Sequence, residues 1–109
     1  MSISYLSELL ETSLKIQGFT PFVFNNYDIT KEKILSLSPA VIIIDSGNAD
    51  NVALKLCEEI KHNSIHNIKI IFTDTAHEKE QILSAGADVY LPKPYDMMEL
   101  FGWIYRILD

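Results

Sequence analysis

The chain has 109 residues, 48% of them hydrophobic, with 9 basic and 15 acidic side chains and a formal net charge of −6. This is one domain of ordinary size over residues 1–109, and no apolar run approaches the roughly 20 residues that a bilayer span needs. An acidic surface lacks the basic patch that direct nucleic-acid binding relies on, and the single cysteine, Cys57, excludes an internal disulfide. The start, Met1-Ser2-Ile3-Ser4, has no basic signal-peptide region, so a cytoplasmic protein without membrane attachment is expected.

From the amino end, Ile3, Leu6, Leu9, Leu10, Leu14 and Ile16 repeat at helical spacing, which predicts an amphipathic helix from Ile3 to Gln17 stopped by Gly18. A short β-rich segment, Thr20 to Phe24, leads into the polar turn Asn25-Asn26-Tyr27-Asp28. A weaker helix covers Thr30 to Leu37 and ends at Ser38-Pro39. Ala40 to Ile44 is continuously apolar, the mark of a strand buried on both faces of a parallel sheet. Asp50 to His62 reads as a helix with Val52, Ala53, Leu56, Cys57 and Ile60 inward. A second buried strand at Ile68–Phe72, a short helix at Glu78–Ala85 and a strand at Val89–Leu91 follow. A last helix, Asp96 to Leu108, turns Leu100, Phe101, Ile104, Ile107 and Leu108 to the core.

Strands alternating with helices imply a doubly wound α/β fold: a parallel sheet covered on both faces and joined by right-handed crossovers. Sites in such folds lie outside the carboxyl ends of the strands. Asp45, the Thr73-Asp74-Thr75 cluster and Lys93 all fall there. Lys93 closes a short apolar strand and is followed by Pro94, and an X-Pro bond permits a sharp turn. With apolar neighbours, its ammonium calls for an anionic partner, a carboxylate or a phosphate, and Asp45 is at the matching place.

The stretch Ala85-Gly86-Ala87-Asp88-Val89-Tyr90-Leu91-Pro92-Lys93-Pro94-Tyr95, together with Ala40-Val41-Ile42-Ile43-Ile44-Asp45, resembles the receiver domain of bacterial response regulators. The resemblance runs over nearly the whole chain and implies the flavodoxin-like fold of that family, with sheet order 2-1-3-4-5. It implies that Asp45 accepts a phosphoryl group and that Lys93 pairs with it. A hydroxyl from Thr75 or Thr73 bonds the phosphoryl group; Thr75-Ala76 matches the family's Thr-Ala pair, and Thr73 stays open. Tyr90 sits where receivers carry an aromatic that swings between outward and inward positions. A magnesium ion would be held by Asp45 and the Gly47 carbonyl, with Asp74 and Asp50 as further carboxylates.

Three departures stand beside these agreements. Counting back from Gly18, the acidic pair that binds magnesium in the family falls at Met1 and Ser2, neither acidic, and no strand precedes them. Either the sequence begins inside a longer chain (the expectation favoured by the leucine spacing), or Ser2 to Leu6 becomes a strand, or a partner chain supplies one. The loop Ser46-Gly47-Asn48-Ala49-Asp50-Asn51-Val52 lacks the family's Met-Pro and Asp-Gly. The segment between Thr75 and Gly86 is about one helical turn short.

Among the other residues, Cys57 reads as a small buried hydrophobe. His62, His66 and His77, without metal-ligand spacing, read as solvated surface. Trp103 lies off the main apolar stripe, either packed against a neighbouring helix or marking a docking face.

The function expected is two-component signalling by a non-enzymatic module. Its partners are a histidine kinase or phosphotransfer protein and, by resemblance, a second copy met through the last strand and helices. The alternative is a pseudo-receiver that keeps the fold as an interaction module without phosphorylation. A flavin carrier is disfavoured, because no Ser/Thr/Gly-rich phosphate loop follows a first strand. A nucleophilic hydrolase is disfavoured for want of a Ser or Cys elbow.

Overall fold

The computed structural model describes residues 5–19, 36, 39–45, 52–63, 68–74 and 79–108. Its elements run α1 (Tyr5–Ile16), β1 (Val41–Asp45), α2 (Val52–Asn63), β2 (Lys69–Asp74), α3 (Lys79–Ser84), β3 (Val89–Pro92) and α4 (Met97–Leu108). Each lies within two residues of the boundary its sequence pattern predicts. The predicted strand at 20–24 falls outside the described residues, and of the helix at 30–37 only Ser36 is described, as helical.

Among the described residues the sheet has three strands in the order β1-β2-β3, parallel throughout. This corresponds to the last three strands of the order 2-1-3-4-5. Alternation along the strands divides the core into two layers. Ile44, Ile70 and Phe72 pack with Ala53, Leu54, Cys57 and Ile60 of α2 and Ile82 of α3. Ile71, Val89 and Leu91 pack on the other face with Leu14 of α1 and Leu100, Phe101 and Ile104 of α4.

β2 carries the burial expected of a central strand: Ile70, Ile71, Phe72 and Thr73 are all 0% exposed. β1 corrects the expectation of burial on both faces. Only Ile44 is buried, whereas Val41, Ile42 and Ile43 are half-buried. These half-buried residues still pack against the two core layers, Ile42 on one face and Val41 and Ile43 on the other. One helix-end assignment, Leu108, is corrected as well, and Ile16 at the end of α1 is likewise exposed. Ile16 is 77% exposed and Leu108 47% exposed, because each lies in the last turn of its helix, turned off the sheet. Leu54, absent from the expected inward set, is buried. Conversion of Ser2–Leu6 to a strand fails at Tyr5 and Leu6, which are helical.

Capping sets the element ends. Gly18 (φ 94°) and Gly86 (φ 109°) adopt the left-handed conformation that glycine reaches without Cβ strain. After α1, Gly18 N–H donates to the Lys15 carbonyl and Phe19 N–H to the Leu14 carbonyl, both at 3.0 Å. After α3, Gly86 N–H donates to the Leu83 carbonyl at 3.0 Å and Ala87 N–H to the Ile82 carbonyl at 3.4 Å. Both are Schellman closures, which satisfy carbonyls that a helix end leaves orphaned. Asp96, predicted as helical, instead caps α4: its Oδ1 accepts from Glu99 N–H at 2.9 Å. No described helix is long and apolar enough to cross a membrane.

Candidate functional site at the carboxyl ends of the strands

Ladder register brings the predicted site residues together. Asp45, the last residue of β1, lies directly across from Thr73 of β2, and Thr73 lies across from Leu91 of β3. One step on, Asp74 faces Pro92, the residue before Lys93. Two acidic residues and one lysine therefore come from three adjacent strand ends, on successive register steps at the carboxyl edge of the sheet.

Thr73 is 0% exposed and is the buried polar residue of the described core. No buried side-chain nitrogen or oxygen among the described residues lacks a hydrogen-bond partner, so this hydroxyl is bonded and its desolvation is offset. Of the two threonines left open by the sequence, Thr73 is the one aligned with Asp45, whereas Thr75 lies outside the described residues. The register sets this: Val41 pairs with Lys69, and four residues on from each stand Asp45 and Thr73.

Lys93 is half-buried just past β3, and its bond to Pro94 is cis. Tyr90 is half-buried and packs on the α2–α3 side with the cluster containing Ile44 and Phe72. Gly47 and Asp50 lie outside the described residues.

Magnesium takes hard oxygen donors and is commonly held by one or two carboxylates together with substrate phosphate and water. Asp45 and Asp74 are carboxylate residues at neighbouring strand ends, one register step apart. No group of three or more His, Cys, Asp or Glu able to hold a metal occurs among the described residues.

At the opposite end of the sheet is a feature the sequence did not disclose. Lys61 Nζ of α2 pairs with Asp88 Oδ2 at 2.7 Å and donates to the Ile68 carbonyl at 2.9 Å. The same Asp88 oxygen accepts from Ile70 N–H at 2.8 Å, while Asp88 N–H donates to the Ile70 carbonyl at 2.9 Å. The aspartate extends the ladder between β2 and β3 and ties both strand starts to α2, which holds β3 in register and so fixes where Lys93 emerges. Close by, Cys57 is fully buried, and burial pushes its thiol from 9.0 up to about 11, with Lys61 pulling it down and Asp88 and Glu58 pushing it further up. His62 is exposed at the end of α2, as expected; His66 and His77 lie outside the described residues. Trp103 is half-buried against the α4 core layer, under the Arg106 guanidinium at 4.9 Å from its ring centroid.

No family model matches the chain. Among solved structures it is similar to the N-terminal domain of the nisin resistance regulator NsrR, a lantibiotic response regulator, with a TM-score of 0.80 and 20% identity over 95% of this chain and 89% of that one. It is also similar to the signal receiver domain of a response regulator from Bermanella marisrubri, with a TM-score of 0.77 and 24% identity over 95% and 89% of the two chains. The fold is that of a response-regulator receiver domain. Curated relatives agree: response regulator ArlR of Staphylococcus epidermidis is 28% identical over 104 residues, 94% of this chain and 48% of that protein. Response regulator MprA of Mycobacterium ulcerans is 28% identical over 103 residues, 93% and 44% respectively. The chain spans about half the length of the curated relatives it matches, and its relationship to them is divergent.

Proposed function

We propose that the chain works as a phosphoryl-accepting receiver in two-component signalling, in the cytoplasm, with a histidine kinase or phosphotransfer protein as donor. The observation that carries this reading is the row Asp45–Thr73 and Asp74–Pro92–Lys93 at the carboxyl edge of the sheet. Asp45 attacks the phosphorus of the donor's phosphohistidine through a carboxylate oxygen; the new O–P bond forms as the N–P bond breaks, and the imidazole leaves as the neutral group after taking a proton. Lys93 balances the charge of the transferred group, and the hydroxyl of Thr73, or of Thr75, donates to one of its oxygens. Asp45, Asp74 and the Gly47 carbonyl would hold magnesium, which when bound would supply charge neutralisation to the transferred group. Tyr90 reports occupancy by changing its packing on the α2–α3 side, and partners read the result by protein contact rather than by catalysis.

The test is exposure of the protein to acetyl phosphate, and separately to beryllofluoride, each with magnesium. Covalent phosphate should be read by intact mass, with Asp45→Ala as control. Mass gain abolished by the substitution supports the reading. No gain and no beryllofluoride response from a folded protein sinks it, and favours a phosphorylation-independent interaction module. The loop from Ser46 to Val52, without Met-Pro and Asp-Gly, is the observation on the side of that second reading.

A further inference from the structure

β3 is only four residues long, and its apolar alternation alone does not choose its register. Val89 and Leu91 pack in the layer with α1 and α4, while Tyr90 packs in the layer with α2 and α3. A slip of one residue would exchange those faces, and burial rejects it. A slip of two keeps every face, yet it moves Lys93 by about 7 Å, because a strand rises about 3.3 Å per residue. Something besides the alternation has to hold the register on which Lys93 depends.

We propose that Asp88 sets the register of β3 and is thereby a positioning residue for Lys93, with Lys61 as the cation that holds its carboxylate in place. Asp88 makes both bonds to Ile70 by itself. Its N–H donates to the Ile70 carbonyl at 2.9 Å, and its Oδ2 accepts from the Ile70 N–H at 2.8 Å, so the side chain supplies the second half of the rung. A slip of two residues would set Gly86 or Tyr90 across from Ile70, and neither carries a carboxylate. Lys61 of α2 fixes the same oxygen at 2.7 Å and donates to the Ile68 carbonyl at 2.9 Å, which joins the helix to the starts of both strands. Its stem also lies over Gly86, where an added Cβ would stand 2.7 Å from Lys61 Cγ. The two side chains are only 26% and 27% exposed, and a charge-assisted bond so covered is stronger than a neutral one. Only the four residues of β3 separate Asp88 from Lys93, so an error of register at one end is delivered whole to the other.

The inference rests on the phosphoryl reading only for its consequence at the site, because the register itself is read without any ligand. Its test compares the native chain with Asp88→Ala and Asp88→Asn by cross-strand NOEs, which in the native protein join Ile71 to Val89 and Thr73 to Leu91. Asp88→Ala is expected to lose these contacts or to show a second, shifted set. Asp88→Asn keeps an acceptor for the Ile70 N–H but not the charge that holds Lys61. It should show the shifted set in part, and it carries the test if Asp88→Ala does not fold. Native contacts alone in every variant that folds overturn the proposal. Beryllofluoride with magnesium then reads the site. Asp88→Ala should weaken its binding about tenfold in the native background and by less than about twofold in the Lys93→Met background. An equal loss in both backgrounds shows that Asp88 does not act through Lys93 and overturns the positioning role. A native protein without a beryllofluoride response counts against the phosphoryl reading, and the NOE comparison then decides this inference by itself.

Discussion

A built Cβ at Gly86 would stand 2.7 Å from Lys61 Cγ and 3.0 Å from Lys61 Cβ, in a residue already at φ 109°. Gly86→Ala therefore strains the backbone and pushes against the side chain that carries the Asp88 ion pair. We expect a loss of about 1–3 kcal/mol in chemical denaturation. Gly18 shares the conformation but has open space around it, so Gly18→Ala should cost less, and the two variants separate strain from crowding. Cys57 gives a pH prediction at the same scale. Its folded-state thiol titrates near 11 against 9.0 when free, so between these values the unfolded chain holds fewer protons than the folded one. Stability from this group is intact below pH 9 and falls as pH rises through about 11, and Cys57→Ala should flatten that alkaline decline in a series of thermal melts. Folded protein should also label slowly with thiol reagents at neutral pH.

At the scale of elements, β2 is the strand on which both core layers rest. Phe72→Ala removes a fully buried ring and should cost about 3–5 kcal/mol, enough to unfold a marginal domain, whereas Ile71→Val should cost about 0.5–1.5 kcal/mol. The N-cap of α4 is a smaller lever. Asp96→Ala leaves Glu99 N–H without its acceptor and should lower stability by about 0.5–2 kcal/mol, readable in urea denaturation, and Asp96→Ser should recover most of it. These elements were legible in the sequence because their signals are local. Lys79–Ser84 ends at a glycine, Val89–Pro92 is bounded by turn residues, and α4 shows its apolar stripe outright. Burial was less legible. Ile16 and Leu108 fit their helical stripes yet point to solvent, because a stripe defines a direction and says nothing of where the neighbouring element stops.

Across the whole molecule, the site row and the Lys61–Asp88 clasp lie at opposite ends of the same sheet, joined by β2 and β3. Lys61→Met should loosen the start of β3 and shift the position from which Lys93 emerges. The expected outcome is lower stability by about 1–3 kcal/mol together with weaker beryllofluoride binding, measured by titration on the folded protein. Unchanged binding with lowered stability would make the clasp a matter of folding alone. The sequence by itself determined the alternation of elements, the parallel sheet and the strand ends at which Asp45 and Lys93 stand, because hydrophobic period, glycine stops and Lys-Pro are written in neighbouring residues. Only the tertiary structure showed that Thr73 stands across from Asp45, which apolar residues stay exposed on α4, and that Asp88 ties two strands to a helix. Those depend on ladder register and on contacts between residues far apart in the chain, such as Asp88 with Ile70, which no local pattern encodes.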